Sequence, residues 1–542
     1  MHHSISKWAL IALLLLCGVL FGWALGAMYY INPDEARYTD IAREMWASGS
    51  WVTPKLDGTA FLDKPILFYW VEIALMKTFG LHEWSVRLLP AGFASLACIM
   101  NYIAGVKLYD RKTGILAALV LLTSTLFFIV GHYTNMDLMV ASLISCSLWL
   151  FLIAVASKVP GYLYGAYVFA GLAFLTKGMI AIVLPGLIIG VWILCYRKWS
   201  LLKTMRIPSG ILIILLINLP WFLAVEHQNP EFYYYFFYVQ QFVRFASKTS
   251  FNMQNPWYYY LVIIAAGLIP WLLFLFQALI KSQRTEKEVF ILLWVVLITV
   301  FFSIPTSKTP GYILPVFPPL AFLIGRYLAS NTLKLRAVSF IYGLLFLSLL
   351  GFVCLSPFAA QVPIRAVLPS LVITGLGTLV LIWVAFRAAQ AFVPVFIIIQ
   401  CLFLASLIQP VALYFNSQSI YPLASLINQS IQPQDVIVEY EQYNYDLPLY
   451  VQRDIKVVSD WNQRAALMED DSWRRELAED ILYKQGLRQP NLVLPSELPA
   501  LWGVPGRRIF LLARPSVEPS LKPLYVLGQD HGMILLSNEA GS

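Results

Sequence analysis

The sequence predicts a mostly α, polytopic membrane helix bundle followed by a small α/β domain, and three observations predict it. Of 542 residues, 59% are apolar and only 13% are charged, where a soluble globular protein carries roughly 25% charged residues. Thirteen apolar runs are long enough to span a bilayer. After residue 414 the charges rise and the long apolar runs vanish. The expected division is a transmembrane catalytic domain over 1–414 and a soluble domain over 415–542.

The runs are 8–31, 84–107, 114–131, 138–157, 161–176, 178–196, 209–226, 257–280, 288–304, 310–329, 337–357, 365–386 and 391–414. The first, from Trp8 to Tyr30, is longer than a signal-peptide core and reads as a retained transmembrane helix. Lys and Arg are denser in the loops holding Lys107, Arg111 and Lys112, then Arg197, Lys198, Lys203 and Arg206, then Lys281, Arg284 and Lys287, than in the alternate loops. Basic loops stay on the cytoplasmic side. The N-terminus is therefore expected inside, with the 32–83 loop, the 227–256 loop and the tail outside. The formal net charge of +8 is this orientation signal, drawn to anionic lipid, and not a nucleic-acid footprint. The six cysteines, Cys17, Cys98, Cys146, Cys195, Cys354 and Cys401, all lie in apolar runs and form no CxxC pair, so they read as small buried apolar residues.

The first outer loop is expected to hold two amphipathic helices lying on the membrane surface. Asp34 to Ala47 places Ala36, Ile41, Met45 and Trp46 at helical spacing, with Asp34 as the cap and Gly49 as the stop. Pro65 to Phe79 carries a second apolar face, with Pro65 at the first helical position. The 227–256 loop is dense in aromatics between Glu231 and Phe245, which suits the membrane interface. In the tail, the stretches beginning at Asp435, Ile455 and Arg508 read as short strands, and Ser472 to Leu487 as a helix. The tail shows neither a phosphate-binding Gly loop nor a His or Cys cluster.

Chemistry gathers at the outer mouths of the runs. Asp34-Glu35-Ala36-Arg37-Tyr38 follows the first run, and Asp63-Lys64-Pro65 follows within the same loop. Asp137, Lys177, Arg244 and Lys308 fall in later loops on that side. Charges so close to hydrocarbon are costly and mark functional sites by default. Each has a plainer alternative. Asp137 could cap a helix, Lys177 and Lys308 could reach to headgroups, and Glu35 could only pair with Arg37 or Lys64.

These residues resemble the lipid A aminoarabinose transferases, which are membrane glycosyltransferases of the GT-C class using lipid-linked sugars and related to protein mannosyltransferases. The resemblance rests on Asp34-Glu35-x-Arg37-Tyr38, Phe61-Leu62-Asp63-Lys64-Pro65 and Tyr69-Trp70. It continues at His132 to Asp137, Thr176-Lys177-Gly178, Gln241 to Phe245 and Ser307-Lys308-Thr-Pro-Gly-Tyr312-Ile-Leu-Pro. It implies a GT-C fold and a multi-pass protein of the bacterial inner membrane, with its site and its tail in the periplasm. It implies an undecaprenyl-phosphate-linked sugar as donor and a lipid A or lipopolysaccharide phosphate as acceptor, among membrane lipids and without nucleic acid. Lys64, Arg244 and Tyr312, with Arg37 and Lys308, would hold the donor phosphate; Asp34 and Asp137, with Glu35, would be the key carboxylates. Two departures stand out: Asp63 replaces a Glu before the Lys-Pro pair, and Gln240-Gln241 stand near a position where the family carries a histidine able to help bind zinc. Gln is a poor zinc ligand, so no metal or other cofactor is expected to be required.

A sugar on a polyprenyl phosphate is already activated, and cations at the leaving phosphate plus positioning supply most of the acceleration. A hydroxyl acceptor would need a carboxylate base; a lipid A phosphate would not, leaving Asp34 or Asp137 to orient the sugar or pair with its ammonium. The sequence does not choose between these roles. The alternatives are a transferase acting on a protein or polysaccharide hydroxyl and, from another class, a lipid or sugar transporter. Transporters place binding groups near the bilayer midplane in repeated halves; here the charges lie at the mouths and no repeat is visible.

Overall fold

The computed structural model describes residues 4–243, 254–330, 342–344, 362–463, 467, 472–478, 489–515, 521–530 and 532–539. The chain forms two compact units, each built from separated segments. The first comprises Met1–Ala27, Trp84–Phe222 and Met253–Tyr414; the second comprises Met28–Glu83, Leu223–Asn252 and Phe415–Ser542.

The first unit is helical. Among the described residues, six helices of the chain are long and apolar enough to cross a membrane: Glu83–Leu108, Met136–Ser157, Ile207–Gln228, Pro310–Ser330, Ile364–Arg387 and Phe392–Asn416. Among the described residues all thirteen apolar runs carry helix; of the 337–357 run only Tyr342–Leu344 are described, and they are helical. Several runs are less regular than their hydropathy suggests. The first is helical only over Lys7–Gly22, and Trp23 turns to extended backbone. The 114–131 run breaks between Arg111–Leu122 and Thr125–Val130. The 257–280 run bends by 107° between Tyr259–Gly267 and Leu272–Ile280. Pro270 explains that bend, since it supplies no N–H and restricts Ile269. In the 310–329 run, Pro315 lies in the opening 3₁₀ turn, Pro310–Val316, and Pro318 and Pro319 fall in the first turn of Phe317–Ser330, where a missing N–H is tolerated.

Polar residues fix the register inside this apolar bundle. Trp149 donates its indole N–H to Asn101 at 2.8 Å, and Asn101 donates to the carbonyl of Pro318 at 3.0 Å. Buried amides paired in this way specify one packing.

In the second unit, the helix Asp34–Ser48 ends where Gly49 adopts φ +68°, the left-handed stop read from the sequence. Asp34 is not its cap; Pro33 holds that position, and Asp34 is the first helical residue. A hairpin follows, β1 (Lys55–Leu56) and β2 (Thr59–Ala60), joined by Asp57-Gly58, both at positive φ, as a two-residue hairpin turn requires. The second outer helix runs Leu67–Phe79 with Ile66 as its cap, so Pro65 lies before the helix and not at its first position.

The tail folds as a six-stranded sheet of β3 (Val436–Tyr440), β4 (Lys456–Val458), β5 (Leu492–Val493), β6 (Ile509–Ala513), β7 (Tyr525–Asp530) and β8 (Met533–Ser537) in the order β5-β4-β3-β6-β8-β7. The first four are mutually parallel, and β8 runs antiparallel to β6 and β7. Val438, Val458, Leu511 and Leu536 centre its core. Strands β3, β4 and β6 fall on the three strand-like stretches; β5, β7 and β8 were not foreseen. The expected helix from Ser472 is present as Trp473–Leu477, and 479–488 lie outside the described residues.

Hydrogen bonds tie the segments of this unit together. Ile455 donates its N–H to Asp57 at 3.0 Å, Asn32 donates to Asp446 at 2.6 Å, and Tyr30 donates its N–H to the Tyr450 hydroxyl at 2.9 Å. From the middle segment, Asn229 donates to the Thr53 hydroxyl at 2.7 Å.

Candidate functional site

In the first unit the candidates converge at the start of Met136–Ser157. Asn135 caps this helix, accepting the Leu138 N–H at 3.2 Å. The capping alternative for Asp137 therefore goes to its neighbour, and the Asp137 carboxylate is left for Lys177. Lys177 is the last residue of Pro160–Lys177, and its ammonium also lies 4.4 Å from the centre of the Tyr312 ring. It is held by a carboxylate and a π face, and does not reach out to headgroups. Gly311 lies against Asp137; a Cβ there would overlap the carboxylate, so the Pro-Gly-Tyr step is required by close approach. Lys308 is 3% exposed and donates to the backbone carbonyls of Asn255, at 2.9 Å, and Pro305. Two of its three N–H groups thus hold the loop itself.

In the second unit a cluster forms on the first turn of Asp34–Ser48. Arg37 donates to Asp34 at 2.5 Å and to Glu476 from the tail. Its guanidinium lies 4.9 Å from the Tyr38 ring and 5.7 Å from that of Tyr445, and Tyr445 donates to Glu476 at 2.7 Å. Burial alone would lower the Arg37 pKa, but Glu476, with Tyr38 and Asp34, raises it well above its ordinary value. Burial likewise pushes the Glu476 carboxyl up, against the pull of Arg37. Asp34 is the open member, its side chain 47% exposed. Glu35 is fully buried and accepts the Ile31 N–H at 2.9 Å, which braces the chain entering the helix.

The Asp63-Lys64 pair belongs to the same unit. Lys64 lies 3.9 Å from the Asp63 carboxylate and donates to the Asp63 carbonyl at 3.3 Å. Asp63 accepts from the Tyr235 hydroxyl, at 2.5 Å, and from the Gln240 amide. Tyr235 and Gln240 come from the π-helix Tyr234–Val243, so the aromatic stretch read as an interfacial belt also supports this carboxylate. A zinc ion bound here would need acceptors, and Gln240 presents an N–H donor. The donor set does not fit zinc, and among the described residues no group of three His, Cys, Asp or Glu side chains could hold a metal. Arg244 lies outside the described residues.

The structure thus groups Asp137 with Lys177 and Tyr312 in one unit, and Asp34 with Arg37 and Asp63 with Lys64 in the other. Sequence reasoning missed Glu476, Tyr445 and Tyr235. Their only signal is a polar or aromatic residue in an otherwise ordinary segment, and nothing local links them to partners so distant in the chain.

Residues 63–223 match the family model described as dolichyl-phosphate-mannose-protein mannosyltransferase. A structure of ArnT from Cupriavidus metallidurans, bound to undecaprenyl phosphate, superimposes with a TM-score of 0.85 over 99% of both chains at 24% identity. The chain has the ArnT fold. Its sequence is also similar to undecaprenyl phosphate-alpha-4-amino-4-deoxy-L-arabinose arabinosyl transferases. It is 34% identical to the one from Yersinia enterocolitica over 60% of each chain. It is 35% identical to the one from Edwardsiella ictaluri over 57% of this chain and 60% of the relative. The match thus spans about 60% of the length of these curated relatives. The ArnT fold accounts for the mostly helical membrane architecture and for the small sheet at the C-terminal end.

Proposed function

We propose that this chain is a membrane glycosyltransferase that moves 4-amino-4-deoxy-L-arabinose, or a related amino sugar, from undecaprenyl phosphate to lipid A on the periplasmic face of the inner membrane. The observation that carries the reading is Asp34: an open carboxylate anchored by a buried, multiply paired Arg37, in a chain 34% identical to named arabinosyl transferases. An anion fixed in that way suits the ammonium of an amino sugar. In the transfer, the bond between the anomeric carbon and the donor phosphate oxygen breaks, and a bond to an acceptor phosphate oxygen forms. Undecaprenyl phosphate leaves with the electron pair. The acceptor phosphate is already ionised, so the step needs no general base. Lys64 and Arg244 stabilise the departing phosphate by charge-assisted bonds. Asp137, held by Lys177 beside Tyr312, gives a second fixed carboxylate whose role is to orient a substrate group. No metal enters this scheme.

Mass spectrometry of lipid A from cells with and without the chain tests the reading. Aminoarabinose adducts should appear only with the active chain and vanish with Asp34→Asn. Unchanged lipid A together with a newly glycosylated protein or polysaccharide would move the acceptor to a hydroxyl.

A further inference from the structure

The sheet of the second unit contains a topological switch point. From β3 the chain passes to β4 and then β5 on one side, and returns to β6 on the other side of β3. In open sheets with parallel strands, the loops at the carboxyl ends diverge at such a point and leave a crevice where ligands bind. Here that crevice is a cavity of about 390 Å³, within the range of small-molecule sites. Gln442 and Tyr443 enter it from beyond β3, Arg514 from beyond β6, and Asp530 from the end of β7. Trp473 completes the wall, its ring 6.5 Å from that of Tyr443 and inclined by 30°.

The lining has a consistent chemistry. The Trp473 and Tyr443 rings put aromatic surface in the wall, of the kind that the C–H face of a sugar covers. Gln442 is 6% exposed, and its amide nitrogen has no hydrogen-bond partner among the described residues. A buried amide left without a partner carries a free-energy cost that a bound acceptor atom would remove. Asp530 can accept from hydroxyls. Arg514 is exposed, and its planar fork matches a carboxylate or phosphate.

We infer that this crevice binds a saccharide bearing an anionic substituent: the polar, membrane-distal sugars of the lipid acceptor. The tail would then select acceptors by their sugars. This rests on the acceptor being a glycolipid, as proposed above.

The test titrates the full chain in detergent with the de-acylated, phosphorylated core saccharide of lipopolysaccharide, followed by calorimetry. Wild type should bind it saturably, and Arg514→Gln and Gln442→Leu should each weaken binding at least about tenfold. Gln442→Leu removes no protein hydrogen bond among the described residues, so it guards against a variant that merely unfolds. Both variants should retain wild-type transfer to lipid A stripped of core sugars. Absence of saturable binding, equal affinity in all three proteins, or loss of transfer to the stripped acceptor would each overturn the assignment. If the saccharide binds but wild type transfers sugar to no lipid acceptor, the proposed activity falls while the crevice stands. If transfer is intact and the saccharide does not bind, the crevice assignment falls alone.

Discussion

The carboxylate of Asp34 keeps about half its surface exposed while that of Glu35 keeps none, because consecutive helical positions point about 100° apart. Adjacent acids on one turn therefore face different surroundings. Asp34→Asn preserves shape and removes charge; sugar transfer should fall about 100-fold or more with thermal stability unchanged. Glu35→Gln keeps an acceptor for the Ile31 N–H and should retain most activity. Assays of both variants at saturating acceptor check this, and an inactive Glu35→Gln beside an active Asp34→Asn would reverse the roles. Deeper in the same helix, Glu44 accepts the Gly58 N–H at 3.2 Å. Burial first, then the neighbouring Asp40, pushes its carboxyl from 4.5 up to about 7. A carboxyl raised on folding contributes stability that is full below its unfolded pKa and is lost as pH rises through its folded pKa. Between pH 5 and pH 8 wild type should lose that contribution, and Glu44→Gln should not. The variant's Tm relative to wild type should therefore be higher at pH 8 than at pH 5.

At the scale of elements, Asn135 and Asp137 divide two tasks on one helix start. Asn135→Ala should cost about 1 kcal/mol of stability with little loss of turnover. Asp137→Asn should abolish most transfer and leave Tm in place. Gly311→Ala should resemble Asp137→Asn, because the added methyl displaces the carboxylate. Thermal melts paired with turnover separate the outcomes. The helix Asp34–Ser48 is legible in the sequence because its apolar period and Gly49 are local signals. So are β3 and β4, which are rich in β-branched residues, and β6, a short apolar run. The edge of that legibility is equally physical. β5 has two residues, too few for any period to show. The 107° bend at Pro270 and the break at Thr123–Ser124 leave hydropathy unchanged, since an apolar residue reads the same in a kink as in a helix. The meeting of Arg37 with Glu476 is invisible because it is set by tertiary packing, and the helical face that carries Glu476 looks merely solvated.

For the whole molecule, the loop charges predict orientation. A reporter active only outside the cytoplasm should work when fused after Ser542 and fail near Lys203; the opposite pattern would overturn the proposed periplasmic placement of the site. Metal independence is the second expectation at this scale. EDTA-treated enzyme in detergent should transfer sugar at an undiminished rate, since Asp63 is committed to Tyr235 and Gln240. Activity lost to EDTA and restored by zinc would point to Asp63 and His227 as the first positions to mutate.

The second unit gathers its parts from the beginning, the middle and the end of the chain, and this has a consequence for biogenesis. The ribosome delivers Arg37 early and Glu476 late. At about 5–20 residues per second, roughly 20–80 s separate the release of Glu83 from that of Glu476. Throughout that interval Asp57 and Arg37 wait without the tail partners that bury them. The Asp34 cluster therefore matures only after translation is nearly finished, and a prematurely terminated chain would insert its early helices yet never assemble that cluster. Long-range closure of this kind is slow. Under the proposed activity, an incomplete copy would therefore leave the cell's supply of lipid-linked sugar untouched.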